Sequence, residues 1–218
     1  MVVSSMGRKG DPYATDSLLN LVSENHQTQL TAQELDQLMA TGELISMSVM
    51  INQARQRGMK VAGLTGAQAG VITNHDYQSA RVDHVDPTAI LTALQTVDIV
   101  IVAGFQGVTT DGHVTTLGRG GSDTSATAIG AALNACFVDI FTDVNGVMNK
   151  DPKQDPSAQV IPFLTYTEMV RMAENGAKVV HPRAVKIAMN AEIPFRVRST
   201  YRVTEQGCTI IGSSRLIK

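Results

Sequence analysis

The chain has 218 residues, a length that favours one domain, and 43% of its residues are hydrophobic while 17% are charged. This composition predicts a folded core and excludes a disordered or fibrous chain. Lysine and arginine total 18 against 20 acidic residues, a formal net charge of -2, so no basic field favours nucleic acid. The longest apolar stretch, residues 97–105, contains Asp98 and is much shorter than the roughly 20 residues of a membrane-spanning helix.

Targeting signals and cysteines narrow the cellular setting. No charged and then apolar secretion signal is recognisable at the start of the sequence. The two cysteines, Cys136 and Cys208, are too few for a disulfide framework or a zinc site. We therefore expect a soluble, cytoplasmic protein.

Predicted strands and helices alternate along the chain, which indicates the α/β class. Thr31 and Glu34 have the spacing of a capping box, which predicts that a helix begins there. The other elements expected in chain order are a strand at 1–4, a helix at 16–23, a helix at 43–57 that stops at Gly58, strands near 60–65 and 81–85, and a helix at 87–95.

The strongest predicted strand, residues 97–103, is nearly all β-branched, which is typical of a sheet covered on both faces. An Asp-Gly turn in residues 109–114 predicts a hairpin. Beyond it we expect a helix that begins within 118–121 and runs to about 135, a strand at 137–142, helices near 165–174 and 182–190, and a strand at 195–197. Because no repeat or linker interrupts the pattern, residues 1–218 are predicted to form one compact domain.

The most informative motif is Gly118-Arg119-Gly120-Gly121-Ser122-Asp123, followed by a predicted helix of small residues. Glycines allow a backbone to approach a ligand closely, and a helix start attracts carboxylate or phosphate groups. The planar guanidinium of Arg119 adds a fork suited to a carboxylate. The alternative is a tight turn in which Ser122 or Asp123 caps the helix. The motif matches neither a Walker A loop nor a full G-x-G-x-x-G fingerprint.

A second polar cluster follows the strand predicted at 137–142 and contains Asp143, Asn145, Lys150 and Lys153. Ligands of open α/β sheets bind at the carboxyl ends of strands, where lysines are able to contact phosphates. The alternative is a solvated loop in which Asp143 and Asn145 stabilise an Asx turn. This segment alone leaves both interpretations open.

The third motif lies between two predicted helices, where Gly176 ends one helix and Pro182 begins the next. Lys178 would lie near a helix start, where anions are favoured, although a lysine in such a connection is ordinarily only solvated. His181, directly before the proline, is predicted to be structural rather than catalytic. No nucleophilic triad or histidine-rich metal site is apparent.

Together these motifs resemble the aspartate kinases of the amino acid kinase family. The resemblance extends in order along nearly the whole chain, to Thr200. The matching segments are Ser4-Ser5-Met6-Gly7 with Thr15-Asp16, Gly42-Glu43, Gly104-Phe105-Gln106-Gly107, Gly118-Arg119-Gly120-Gly121-Ser122-Asp123, Thr142-Asp143-Val144-Asn145-Gly146-Val147, Gly176-Ala177-Lys178-Val179-Val180-His181-Pro182-Arg183 and Arg198-Ser199-Thr200.

The resemblance implies an α/β fold with a mostly parallel central sheet sandwiched by helices. It implies transfer of the ATP γ-phosphoryl group, with Mg²⁺, to the side-chain carboxylate of L-aspartate. The product would be 4-phospho-L-aspartate, the entry to lysine, threonine and methionine synthesis. Such a transfer needs positioning and positive charge more than a covalent nucleophile, which agrees with the composition.

The resemblance also assigns roles to single residues. Arg119 and Ser122 would bind aspartate, Glu43 would recognise its amino group, and Ser4 and Thr15 would line the same pocket. Asp123 would act in catalysis by organising phosphate-binding lysines, together with Lys178. The nucleotide-side positions are Thr142, Asp143, Met148, Lys153 and Lys178. The family often has Tyr where Met148 stands and Arg where Lys153 stands.

Two family features have no counterpart in this sequence. The family opens with a strand containing Lys-Phe-Gly-Gly-Thr-Ser, whose lysine helps to hold the transferred phosphate, and it continues into regulatory ACT domains. We therefore expect an N-terminally incomplete catalytic domain without an ACT domain. Loss of one such donor costs roughly 10²–10³ in rate, so we expect impaired turnover unless another chain supplies the strand.

Two other functions remain open on the sequence alone. One is a non-catalytic protein that retains an aspartate or nucleotide site. The other is a family member that acts on glutamate-like acids or on UMP. The combination of Glu43 with the Arg119 loop favours an amino acid substrate. L-aspartate and ATP are the expected small-molecule partners, and a homo-oligomer is possible.

Overall fold

A computed structural model describes residues 1–23, 27–150, 155, 157–176, 179–201 and 208–214. The chain forms two compact units, Met1–Ala132 and Leu133–Lys218, here called unit 1 and unit 2. The prediction that residues 1–218 form one domain stays a prediction. Within the described residues, no helix is both long enough and apolar enough to cross a membrane.

Unit 1 contains two sheets and four helices in its described part. Its strands are β1 (Val2–Val3), β2 (Val61–Leu64), β3 (Val71–Thr73), β4 (Val82–Val85), β5 (Ile99–Ala103), β6 (Gln106–Val108) and β7 (Val114–Thr116). Its helices are α1 (Thr15–Asn20), α2 (Ala32–Gln56), α3 (Thr88–Leu94) and α4 (Gly121–Ala132).

The strand predicted most strongly, now β5, is the centre of a parallel sheet with the order β1-β5-β2. The second sheet has the order β4-β3-β6-β7 and mixes parallel and antiparallel pairs. Its β6–β7 hairpin contains the predicted Asp-Gly turn, where Gly112 has a φ of 90°. In the first sheet, β1 leads directly into Ser4 and β5 leads directly into Gly104 and Phe105, all of which belong to motifs noted in the sequence.

Helix α2 packs along the β1-β5-β2 sheet because one of its faces is apolar at helical spacing. Met47 and Ile51 of this face lie against a buried cluster that contains Val61 and Ile101. Burying an aliphatic side chain of this size stabilises a fold by roughly 1.5–3 kcal/mol. The helix begins at the predicted capping box, in which Thr31 accepts from the Glu34 N–H and Glu34 accepts from the Thr31 N–H.

Unit 2 contains β8 (Val138–Thr142), β9 (Phe163–Thr165), α5 (Tyr166–Glu174), α6 (Pro182–Asn190), β10 (Phe195–Ser199) and β11 (Thr209–Gly212). Its sheet has the order β8-β10-β11-β9, with β8 and β10 parallel. Phe195 and Val197 of β10 are fully buried. On the other face of the strand, Arg196 donates two hydrogen bonds to Asp139 of β8, at 2.6 and 2.7 Å.

The predicted α/β class is confirmed, with parallel strands flanked by helices. Two expectations differ from the structure. The capping box and the segment predicted as a helix over 43–57 belong to one continuous helix, in which Gly42 is an interior residue buried against its neighbours. Strands β3, β9 and β11 were not expected; each is only three or four residues long and is defined by its partners.

Replacing Thr31 by Ala should destabilise unit 1 by about 1 kcal/mol, because the first turn of α2 loses its side-chain cap. Chemical denaturation followed by circular dichroism measures this change. The control is Ser48→Ala in the middle of the same helix. Because alanine has the better helix propensity, this variant should be no less stable than wild type. Equal stabilities of Thr31→Ala and wild type would contradict the role of the cap.

Candidate functional site

Unit 1 contains an open cavity of about 520 Å³ that is lined by residues of several separate segments. Its walls are Ser4, Ser5 and Thr15 around the loop after β1, Met39 and Glu43 of α2, Gln78 before β4, Phe105 after β5, and residues 118–123 at the start of α4. The structure thus brings together the predicted residues Ser4, Thr15, Glu43, Arg119, Ser122 and Asp123. Their roles stay predictions, but their common location is a feature of the fold.

The carboxyl group of Glu43 is the most buried polar group of the cavity, with only 2% of the residue exposed. Its Oε1 accepts a hydrogen bond of 2.8 Å from the Ser5 N–H, whereas its Oε2 is buried without a partner among the described residues. Burial raises the pKa of Glu43 to about 7, against the opposing effect of the Ser5 hydrogen bond. A cation or N–H donor beside Oε2 would therefore favour the charged form.

The loop after β1 lies directly on α2 because residue 42 is a glycine. A Cβ at Gly42 would come within 2.9 Å of the Ser5 Cβ, closer than such atoms approach. The Ser5 and Thr15 hydroxyls are 3.2 Å apart and hydrogen-bonded. This close packing places the Ser5 N–H against Glu43 and brings Thr15 to the cavity wall.

The predicted glycine loop forms another wall of the cavity. Gly118 has a φ of 68°, and a Cβ there would lie 2.9 Å from the Gln78 carbonyl oxygen. Helix α4 then begins at Gly121, and the Thr124 N–H donates to the Gly120 carbonyl at 3.0 Å. Since the first N–H groups of a helix carry positive partial charge, this wall is suited to an anionic group.

Arg119 adds a full positive charge to the same wall. Its side chain is exposed, and no carboxylate in the described part of the chain pairs with it. A guanidinium held by structural ion pairs would have little capacity for a ligand, whereas an exposed one is available to a carboxylate. The cavity consequently combines a buried acid at one wall with a cation and a helix start at the other.

Several wall residues were not expected from the sequence. Ser5, Met39, Gln78 and Phe105 all line the cavity. Met39 precedes Glu43 by four residues on the same helix, so the helical period alone would have placed both on one face. Gln78 has a φ of 67°, a conformation that nothing in its sequence neighbourhood indicates.

The predicted nucleotide-side residues belong to unit 2. Thr142 is the last residue of β8, and its hydroxyl donates to Asp143 at 3.3 Å. Met148 forms an isolated bridge with Val160. Lys153 and Lys178 lie outside the described residues, so their predicted roles stay predictions.

Two further sequence-based interpretations concern histidine and metal chemistry. His181 caps α6, and its Nδ1 accepts from the Arg183 N–H at 3.3 Å, which agrees with a structural role. Cys136 and Cys208 are both free. Among the residues whose positions are described, no group of three or more His, Cys, Asp or Glu side chains is placed to hold a metal ion.

Comparison with known proteins places these features in context. A family model described as the amino acid kinase family matches residues 1–199. The chain is 52% identical over 201 residues to aspartokinase 1 of Bacillus subtilis, an alignment that covers 92% of this chain and 50% of that protein. The chain thus spans about half the length of the curated relatives it matches.

Solved structures of aspartate kinases also resemble this chain. The aspartate kinase from Synechocystis matches with a TM-score of 0.78 and 39% identity, over 97% of this chain and 34% of that one. E. coli aspartokinase III, solved in complex with aspartate and ADP, matches with a TM-score of 0.74 and 30% identity, over 92% of this chain and 46% of that one.

Replacing Glu43 by Gln should remove a pH-dependent loss of stability. The folded-state pKa of about 7 is above the ordinary value of 4.5, so the folded chain holds a proton that the unfolded chain releases between these values. Wild-type stability should therefore fall as the pH rises from 4.5 to 7, by up to about 3 kcal/mol. The stability of Glu43→Gln relative to wild type should rise by most of this amount, about 2.5 kcal/mol, between pH 5 and pH 8.

Denaturation midpoints at both pH values measure this difference. The control is Asp83→Asn, which removes an exposed carboxyl and keeps Glu43, so the loss of stability expected from Glu43 should persist. A constant difference between Glu43→Gln and wild type at pH 5 and pH 8 would show that the Glu43 carboxyl does not titrate in this range.

Proposed function

The chain belongs to the amino acid kinase family, and on that premise we propose that it is an aspartate kinase catalytic domain. In this proposal it uses ATP to phosphorylate the side-chain carboxylate of L-aspartate and so releases 4-phospho-L-aspartate and ADP. The observation that carries the proposal is the cavity of unit 1, with buried Glu43 on one wall and the Arg119 loop on the other.

The charges of the cavity match those of L-aspartate, which has one ammonium and two carboxylate groups. We assign the ammonium group to the unpartnered Oε2 of Glu43, because a cation there compensates the cost of desolvating the carboxylate. A ligand carboxylate would lie against Arg119 and the start of α4, near Ser122. Ser4 and Thr15 would close the pocket from the loop after β1.

In the proposed reaction an oxygen of the substrate carboxylate attacks the γ-phosphorus of ATP. The bond from that phosphorus to the β–γ bridging oxygen breaks, and ADP leaves with the electron pair. Thr142, Asp143, Met148, Lys153 and Lys178 are the proposed nucleotide-side residues. Asp123 would orient the lysines, and Lys178 would stabilise charge on the transferred group.

Magnesium enters this proposal with the nucleotide. The described residues contain no preformed cage of three or more metal-ligating side chains. Mg²⁺ commonly retains waters and binds through substrate phosphates with one or two carboxylates, so such a cage is not needed. When bound, the ion would neutralise phosphate charge. Asp123, in the first turn of α4, is a carboxylate that lines the substrate cavity.

Similarity to known proteins supports the proposal independently of the geometry of the cavity. Aspartokinases share 40–52% identity with this chain over most of its length, and E. coli aspartokinase III was solved with aspartate and ADP bound. Because the chain spans only about half the length of such proteins, we propose, on the basis of the cavity, that it shares their activity.

Incubation of the purified chain with Mg-ATP and each of L-aspartate, L-glutamate and UMP tests the proposal. ADP release is followed by a coupled assay, and the acyl phosphate is trapped as its hydroxamate. We expect product with L-aspartate only, and the yield also tests the expectation of impaired turnover. Binding of L-aspartate without product would identify a non-catalytic binding protein, and product with UMP or L-glutamate alone would overturn the substrate assignment.

Replacing Arg119 by Ala should weaken L-aspartate binding by about 1–3 kcal/mol, the scale of a lost charged hydrogen bond. This corresponds to an increase in Kd of about 5- to 150-fold, measured by calorimetric titration. Arg57→Ala, an exposed arginine at the end of α2, is the control and should retain the wild-type Kd. An unchanged Kd for Arg119→Ala would remove Arg119 from the proposed substrate pocket.

A further inference from the structure

Asp36 is a second buried acid on α2, and the cavity does not include it. The residue is fully buried, and its carboxylate accepts hydrogen bonds from two distant segments. The Gln78 N–H donates to both oxygens, at 3.0 Å each. The Thr116 N–H donates to Oδ2 and the Thr116 hydroxyl donates to Oδ1, each at 2.8 Å.

Both partners of Asp36 continue into the wall of the cavity. Gln78 lines it directly, and Thr116, the last residue of β7, is three residues before Arg119. The two segments are also joined to one another, because the Ala80 N–H donates to the Thr116 carbonyl at 2.9 Å. Asp36 therefore holds the segments that carry Gln78 and Arg119 against α2.

Helix α2 is connected both to the wall that contains Glu43 and to the wall that contains Gln78 and the Arg119 loop. Asp36, Met39 and Glu43 are three and seven residues apart, so they share one face of the helix. Seven residues correspond to roughly 10 Å along a helix axis. One rigid element thus supplies Glu43 to the first wall and, through Asp36, anchors the second wall at a fixed distance from it.

The energetics make this anchor specific to a carboxylate. Burial raises the pKa of Asp36, while the hydrogen bonds from Gln78 and Thr116 oppose that effect. The donors occupy both oxygens, whereas an amide of the same size has only one acceptor oxygen. Gln78 also has a φ of 67°, a strained conformation for a residue with a side chain, which persists only where the surrounding structure holds it.

We propose that Asp36 is a positioning residue for the acidic amino acid pocket, setting the distance between Glu43 and the Arg119 loop through the backbone of Gln78 and Thr116. This inference rests on the proposed function, since it concerns the same pocket. Asp36 does not touch the substrate; it determines whether the groups that do so are correctly spaced.

Asp36→Asn tests the inference with little change of size. The amide has one acceptor oxygen and one N–H₂ group, so in either orientation two of the four hydrogen bonds from Gln78 and Thr116 lose their acceptor oxygen. The bonds that remain lose the charge of the carboxylate. We expect the Kd for L-aspartate to rise about tenfold or more, on the scale of a lost charged hydrogen bond. The Kd for ADP, a nucleotide probe measured on the same protein by calorimetry, should change by less than about twofold, a shift below 0.5 kcal/mol.

The direction of the change in Kd for L-aspartate distinguishes a positioning role of Asp36 from a direct effect of its negative charge. Removing a negative charge near an anion-binding loop would, by Coulomb attraction alone, tighten binding of an anionic ligand. Loss of positioning predicts the opposite, weaker binding. Tighter L-aspartate binding by Asp36→Asn would therefore overturn the inference.

Two variants of Thr116 keep the test decisive if Asp36→Asn does not fold. Thr116→Val removes the hydroxyl donor but keeps the backbone N–H, and should weaken L-aspartate binding several-fold, on the scale of one hydrogen bond. Thr116→Ser retains the donor and should restore the wild-type Kd. The control is Thr31→Ala, which destabilises the same helix away from the cavity and should leave both Kd values unchanged.

The outcomes distinguish this inference from the proposed function. If wild type binds no L-aspartate, the proposed function is wrong and the inference fails with it. If wild type binds L-aspartate but Thr116→Val matches it, or if Asp36→Asn weakens ADP and L-aspartate equally, the proposed function stands and the positioning role is wrong.

Discussion

The Glu43 carboxyl lies inside unit 1 with one oxygen hydrogen-bonded to Ser5 and the other unpartnered among the described residues. Burying an ionised carboxylate without full hydrogen bonding is costly, which is why the pKa of this group rises to about 7. The fold tolerates that cost at a cavity wall rather than in a closed core. A ligand ammonium group would remove it, so the same burial that destabilises the empty fold gives binding energy to a cationic group.

The two walls of the cavity contribute differently to recognition. Glu43 is 2% exposed, so its interaction with a cation is little screened by solvent. Arg119 is exposed, and its attraction for a carboxylate is weaker and depends on salt concentration. The start of α4 adds backbone N–H donors whose direction the helix fixes. A small zwitterion with an additional negative charge satisfies both walls, whereas a simple anion satisfies only one.

Much of unit 1 was predictable because its signals are local. The β-branched run at 97–103 became β5, and the Thr31–Glu34 spacing became a capping box. The burial of Asp36 and its hydrogen bonds to distant residues, by contrast, have no local signal in the sequence. Asp36 is two residues from Glu34, which is exposed, and only the turn of the helix places one acid inside and the other in solvent. Strand β11 is defined by its pairing with β9 and β10, and Gln78, which has a φ of 67°, donates a hydrogen bond to the distant Asp36. Neither feature leaves a pattern in the sequence.

The most direct measurement is a crystal structure of the chain soaked with L-aspartate. The account predicts that the ligand lies in the cavity of unit 1, with its ammonium nitrogen within hydrogen-bond distance of Glu43 Oε2 and a carboxylate on Arg119. Ordered L-aspartate at another place in the chain, with this cavity filled only by water, would contradict it.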